Sequence, residues 1–494
     1  MKTLIPFLLI LFKGLMTFGQ NSQSTLDINQ VSAIIEDEGV FFTHHDSTVI
    51  FPGYEMPKGS GLNSIFSAAF WFAGLDQWGQ LFLAAKRFSN TNHSDFYSGP
   101  YSIFHTYMDP NYVSKYSNSI WSVEKSEIDF HIQHFQDPGY ITPLSIQNWP
   151  GNGDVSLGVA QQLAPFIDLN GNLIYEPQLG EFPDIRGDKA SYVIYNDDQP
   201  HLNSYGNIMQ IEVHIMFYQF TSTDFLNETT FMNLRVLNRG PLSFSNFKCG
   251  FFMDADIGGY ADDYIGCDTI RKLMYTYNSD NIDSDYGINP PAVGAISLSH
   301  SMENMSYFTS TSAYPFNDPG TAVQYWWYLN GKWADGSNYY YGGQGHAGQI
   351  GTTNSITNYI FSGNPYTSQG WSEASALNPP GDRRGVMTLE NVQLNSSTQT
   401  CYDMAIIQYS QGNNLENVQG LLAVADSIQQ FYNLQVNYFN CNQVTASTEE
   451  FSPFNTKTIV AYFDLLGREC IPEKGKLFLI EYSDGSVEKH LIVE

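Results

Sequence analysis

The chain has 494 residues, with 50 Asp and Glu against 22 Lys and Arg, giving a formal charge of −28 and a pI near 4.5. That balance excludes nucleic acid as a partner, because phosphates need a basic footprint, and it suits divalent cations and a soluble extracellular surface. Aromatic residues make up 15% of the chain, beside 41 Gly and few Lys, a mix that favours strands joined by tight turns over helical bundles, and the length allows a large core and about three domains.

Residues 1–19 read as a secretory signal peptide: Lys2, an apolar run from Leu4 to Phe12, and small residues Thr17 and Gly19 before a cut that leaves Gln20 first. The run is too short to span a bilayer core, which takes about 20 residues, and no later stretch is long enough, so no transmembrane segment is expected. Gly53 to Phe88 reads as two buried strands about a turn at Asp76–Gly79. Residues 122–136 have helical spacing, with Ser122 or Ser126 as cap and Ile128, His131, Ile132 and Phe135 on one face. His131 and His134 stand three apart, with no third metal ligand evident, and read as ordinary helix histidines.

The segment 166–188 places Asp168, Asn170, Asn172 and Glu176 at positions 1, 3, 5 and 9 of a calcium-loop register, with the Ile174 carbonyl at position 7. Leu173 and Leu179 stand where such loops carry Gly and Glu, and Glu181, Asp184 or Asp188 can close the shell. The competing reading is an Asx-turn loop that caps its own backbone. From Ala190 to Asp254 the pattern alternates; Ile211, Val213, Ile215 and Phe217 against Glu212, His214 and Met216 read as a half-buried antiparallel strand.

Lys248 to Arg271 follows, holding Asp254, Asp256, Asp262, Asp263 and Asp268 with no Lys or Arg between the first and the last. One like-charge pair at 4 Å costs about 4 kcal/mol at an effective dielectric near 20, so the loop needs a cation, Arg partners or protonation. Asp254 and Asp256, two apart at a strand end, can present both carboxylates to one ion. Cys249 and Cys267 bracket the loop and form the first candidate disulfide among five cysteines. Residues 324–343 carry Tyr325, Trp326, Trp333 and Tyr339, which as exposed rings would form a platform for sugars; a short helix burying them is the other reading. Residues 415–434 make the strongest helix, with Val418, Leu421, Leu422, Ala425, Ile428 and Tyr432 on one face. Residues 442–455 read as a linker, and 456–494 as a small domain of short strands with a turn at Asp484–Gly485. The body, 20–441, is expected to be mostly β and antiparallel, sandwich-like, with a few short helices and possible sub-domains.

The C-terminal segment carries Asp464-Leu465-Leu466-Gly467-Arg468-Glu469, then Gly475, Tyr482, Asp484-Gly485, and Lys489 before Leu491-Ile492-Val493. It resembles the type A sorting domain of type IX secretion system cargo, with Phe478 where those domains carry Tyr. The segments PKGSGLNSIFSAAFWFAGLDQWGQL, DLNGNLIYEPQLGEFPDIRGD, DADIGGYADDYIGCDT and PGDRR resemble the large body found in front of such domains. The resemblance implies an Ig-like C-terminal domain, export through the type IX secretion machinery, and a secreted or outer-surface location in a Gram-negative bacterium. It supplies no catalytic residues.

Two functions follow as expectations. The first is an exported, calcium-stabilised β protein acting in binding or adhesion toward a glycan or cell-surface ligand, since millimolar extracellular calcium suits weak all-oxygen sites. The second is a polysaccharide-binding or glycoside-hydrolysing protein with paired carboxylates and the aromatic platform. No G-x-S-x-G, H-E-x-x-H or Cys-His arrangement stands out.

Overall fold

The computed structural model describes residues 22–46, 49–88, 93–310 and 312–435, and near the C-terminus 459–463, 468, 470–471, 477–482 and 487–491. The expected signal peptide, the expected 442–455 linker and most of the Asp464–Glu469 motif lie outside these residues. The chain divides into two compact units, Met1–Ala446 and Ser447–Glu494. No helix among the described residues is long and apolar enough to cross a membrane.

The first unit is built on two antiparallel sheets. The larger has eleven strands, and its main path runs Met302–Phe308, Arg384–Leu389, Phe244–Asp254, Ser67–Leu75, Val40–Phe41, Ser32–Glu36, Tyr54–Glu55 and Asn63–Ile65. The second has nine, running Tyr97–Ser98, Lys189–Asn196, Ile211–Gln219, Thr230–Asn238, Gln399–Tyr409, Ala292–Ser297, Leu273–Asn278 and Asp263–Asp268. Phe70, Phe72, Phe247 and Phe251 from the first sheet and Val213, Ile215, Phe217, Leu234 and Met404 from the second share one buried core. This is a β-sandwich-like body: alternate residues of each strand point inward and interdigitate.

Both sheets are also covered on their outer faces. The strand Ile211–Gln219 is buried at every position, not at every second one. Its outward residues Met216 and Tyr218 enter a second core with Val418, Leu421, Leu422, Ala425, Ile428 and Tyr432 of the helix Asn414–Leu434. That helix has the six-residue face its spacing predicts, and the Asn413 side chain accepts from Leu415 and Glu416 N–H groups at its start. Glu212 and His214 share this outward side and survive burial only because they pair with each other and with Arg239 and Tyr192. On the first sheet, Trp71 stacks on Phe252 at 5.3 Å and meets Tyr325 edge-on at 4.6 Å, beneath the helix Ala322–Tyr328. The predicted hairpin is present as Ser67–Leu75 and Leu81–Ala84, with the Asp76 carboxylate accepting from Trp78 and Gln80 N–H groups in the turn.

The second unit contains an antiparallel three-stranded sheet, Ile459–Phe463, Leu477–Tyr482 and Val487–Leu491.

A candidate metal centre at a strand end

Asp254 closes the strand Phe244–Asp254 and sits in register between Ser67 on one neighbour and Arg384 on the other. Asp256 follows two residues on, and Asp382 precedes the strand that Arg384 opens. One carboxylate oxygen from each of Asp254, Asp256 and Asp382 lies within 4.8 Å of the others. Asp254 is 1% exposed. The Oδ1 atoms of all three are buried without a hydrogen-bond partner. An orphaned buried carboxylate oxygen is costly, and three such carboxylates brought together is an arrangement a cation relieves.

The surroundings hold the other oxygens of Asp254 and Asp382. Arg384 Nε lies 3.1 Å from Asp254 Oδ2, and its Nη2 lies 3.2 Å from Asp382 Oδ2. Arg384 Nη1 donates to Asp318 at 2.6 and 2.8 Å, and Arg87 Nη1 reaches Asp318 Oδ2 at 2.8 Å. Ser310 donates to Asp382 Oδ2. The Arg384 guanidinium rests over the Phe88 ring at 5.0 Å. Four carboxylates therefore face two guanidiniums, an excess of acid that either protonation or a cation relieves. Burial pushes the Asp254 carboxyl well above the usual range, the Asp256 charge adds to this, and Arg384 opposes it. Burial, reinforced by Asp382 and opposed by Arg384, lifts Asp256 to about 7. An all-oxygen donor set with no His or Cys fits a hard cation, calcium or magnesium, rather than zinc or copper.

The sequence brought Asp254 and Asp256 forward correctly as neighbours, but the remaining acids of their loop do other work. Asp263 is buried and its Oδ2 accepts from Ile257 N–H at 3.2 Å. Asp262 is half-buried and pushed up chiefly by burial. Asp268 stands at the far end of the strand Asp263–Asp268 and is paired with Arg271 at 2.7 Å, which in turn holds Asp426. The glycine pair between them is required by close approach. A Cβ on Gly258, which has φ of +63°, would sit 2.1 Å from Asp283 Oδ1. Asp382, Arg384, Asp318 and Arg87 were not singled out from sequence. The signal was the acid of Asp382-Arg383-Arg384, placed at the start of a strand.

The first predicted calcium loop carries a network of its own hydrogen bonds. Asp168 accepts from the N–H groups of Asn170, Gly171 and Leu173, Asn170 from Asn172, and Asn172 from Ile174. The Asn170 and Asn172 amides both donate to Glu176 Oε2, at 3.1 and 2.7 Å. Asp168, Asn170, Asn172 and Glu176 thus make the side-chain hydrogen bonds of an Asx-turn loop, with Ile174 N–H as one of the donors.

Three expectations are corrected. Tyr325, Trp333 and Tyr339 are 0% exposed and half-buried Trp326 packs against the core, so these rings cover the first sheet and do not form the exposed platform. Cys249 and Cys267 are free buried thiols on different sheets, with Cys267 Sγ donating to the Ile360 carbonyl, whereas Cys401 is disulfide-bonded. The helix after residue 122 runs Lys125–His134 and is capped by Glu124, not by a serine. His131 lies buried between Tyr140 Oη and the Glu181 carbonyl, and His134 pairs with Asp137, the structural roles expected of them.

No family model matches this chain, and no curated protein does. Among solved structures it is similar to an amine oxidase from Aspergillus nidulans (9% identity, TM-score 0.26, 84% of this chain and 56% of that one). It is also similar to a copper-containing benzylamine oxidase from Hansenula polymorpha (8%, 0.24, 84% and 64%) and a lysyl oxidase from Pichia pastoris (11%, 0.22, 80% and 52%). At these TM-scores nothing of their chemistry is carried over.

Proposed function

We propose that this is an exported β-sandwich protein of the cell surface or extracellular space, stabilised by a structural calcium ion at Asp254, Asp256 and Asp382 and acting in binding or adhesion. The observation that carries the reading is the convergence of one carboxylate oxygen from each of three acids, each of which also has a buried Oδ1 without a hydrogen-bond partner. The C-terminal resemblance to type IX cargo supports export, with the secretion machinery as partner of the second unit. Charge supports it too: a chain of −28 suits a compartment where calcium is plentiful. Glycoside hydrolysis by paired carboxylates is disfavoured, because Asp254 at 1% exposure has no face to turn toward a substrate.

The test is thermal unfolding of the full chain in EDTA and after calcium is restored. Calcium at a hundred times its Kd is expected to add about 2.7 kcal/mol to stability and raise the melting temperature accordingly. An unchanged melting temperature across calcium concentrations sinks the reading.

A further inference from the structure

A cavity of about 360 Å³ opens on the same unit, away from the aromatic stretch 324–343, and its lining includes Trp121, Trp149, Gln147, Asn148, Lys115 and Asp154. We infer that this groove binds one or two rings of a neutral glycan. The inference supplies a ligand class for the binding role proposed above, and rests on that role only for its setting.

The lining has the two halves that sugar recognition needs. Half-buried Trp121, on the strand Ile120–Glu124, gives an aromatic wall. Trp149 is 3% exposed and belongs to the second core, its Nε1 donating to the Pro165 carbonyl at 2.8 Å, so it fixes the shape of the groove and Trp121 alone offers a ring face to a ligand. Stacked C–H faces of a pyranose suit such surfaces. The exposed side-chain amides of Gln147 and Asn148 have no hydrogen-bond partner among the described residues, leaving donors and acceptors for hydroxyl groups. The two charges of the lining cancel, since Lys115 is paired with Asp154. A neutral ligand therefore fits better than an anion or a cation. The volume is within the range of small-ligand sites, about 300–1,000 Å³, and the groove is open, so neighbouring sugars of a longer chain can leave it.

The rim is also held in place before any ligand arrives, which lowers the ordering cost of binding. Asn152 donates to the Tyr175 carbonyl and accepts from its N–H, both at 2.8 Å. Asp154 caps the turn Val155–Leu157, and its N–H donates to Tyr116 Oη at 2.8 Å. At Gly153 an added Cβ would fall 1.7 Å from the Ala160 carbonyl oxygen, so the segment closes tightly on its neighbour.

The test applies the full chain, in calcium, to a printed array of neutral and acidic oligosaccharides, then titrates the strongest binder by tryptophan fluorescence. Binding to neutral oligosaccharides is expected. The Gln147→Ala/Asn148→Ala double variant, altered only at exposed positions, should bind about tenfold more weakly. Trp121→Ala should lose binding, and Trp121→Phe should restore part of it. No bound glycan, binding of acidic glycans alone, or equal binding by the wild type and the double variant overturns the inference. The calcium-dependent melting shift is measured on the same proteins. Its retention in the groove variants separates this site from the metal centre, whose failure would show instead as a missing shift in the wild type.

Discussion

Asp382 is the residue on which the metal centre can be tested most cleanly. Its Oδ2 is held by Arg384 and Ser310, its Oδ1 is buried without a hydrogen-bond partner, and one of its oxygens lies within 4.8 Å of oxygens of Asp254 and Asp256. Asp382→Asn keeps the size and removes the charge. In EDTA the variant should be about as stable as wild type, because one of three mutually repelling carboxylates is gone. With calcium it should gain little of the increment of about 2.7 kcal/mol, read by urea unfolding with and without the ion. His201 provides a pH-dependent contrast elsewhere. Its Nδ1 lies 2.8 Å from the Leu83 carbonyl and its Nε2 3.0 Å from the Asp197 carbonyl, so both nitrogens must donate. Burial alone would lower its pKa; the hydrogen bond and charge of Asp197, with Asp95, outweigh burial and raise it to about 9. A raised histidine pKa stabilises the fold fully below about pH 6.5 and loses that contribution as pH climbs through 9. Denaturation between pH 6 and 9.5 should show a loss on the order of 3 kcal/mol, and His201→Gln should flatten that slope. At this scale the sequence exposed Asp254 and Asp256, because two acids two apart at a strand end are a local pattern. Asp382 and Arg384 arrive through strand pairing, which no local pattern encodes.

The helix Asn414–Leu434 was legible because one amphipathic face, one cap and one length all agree. Ile428, 0% exposed, fills the second core under the nine-stranded sheet. Ile428→Ala should cost about 2–5 kcal/mol in urea unfolding, from lost burial and the cavity left behind. The strand Ile211–Gln219 was half legible. Its alternation was real, yet alternation predicts a solvated outer face, and here that face meets the helix and a buried Glu212–His214–Arg239 network. The 324–343 stretch failed for a related reason. Rings rich enough to bind a sugar are also rich enough to seal a sheet, and composition alone does not separate the two.

Across the whole molecule, β content and antiparallel pairing follow from the alternating strands and turn residues, but the order of the strands does not, since neighbours such as Thr230–Asn238 and Gln399–Tyr409 are far apart in the chain. Cysteine pairing was likewise illegible, because bracketing a loop in sequence does not place two thiols on one sheet. Burial raises the Cys249 thiol well above its usual range and the Cys267 thiol as well. A thiol reagent should therefore leave Cys249 and Cys267 untouched in the native protein and label both after denaturation. Labelling of Cys249 in the native state would contradict the buried core described above.

The register of the strands that meet at Asp254 has one more consequence. Asp254 stands opposite Arg384, and Asp382 is two residues from that pairing. A slip of one residue would turn every side chain of the Arg384–Leu389 strand to the other face and carry Asp382 away from Asp254 and Asp256. An ion that needs all three carboxylates at once accepts a single alignment of these strands. Under the function proposed above, calcium bound there would act as a proofreader of the larger sheet: it would stabilise only the chains that have zipped correctly, and withhold that stabilisation from their nearest misaligned competitors.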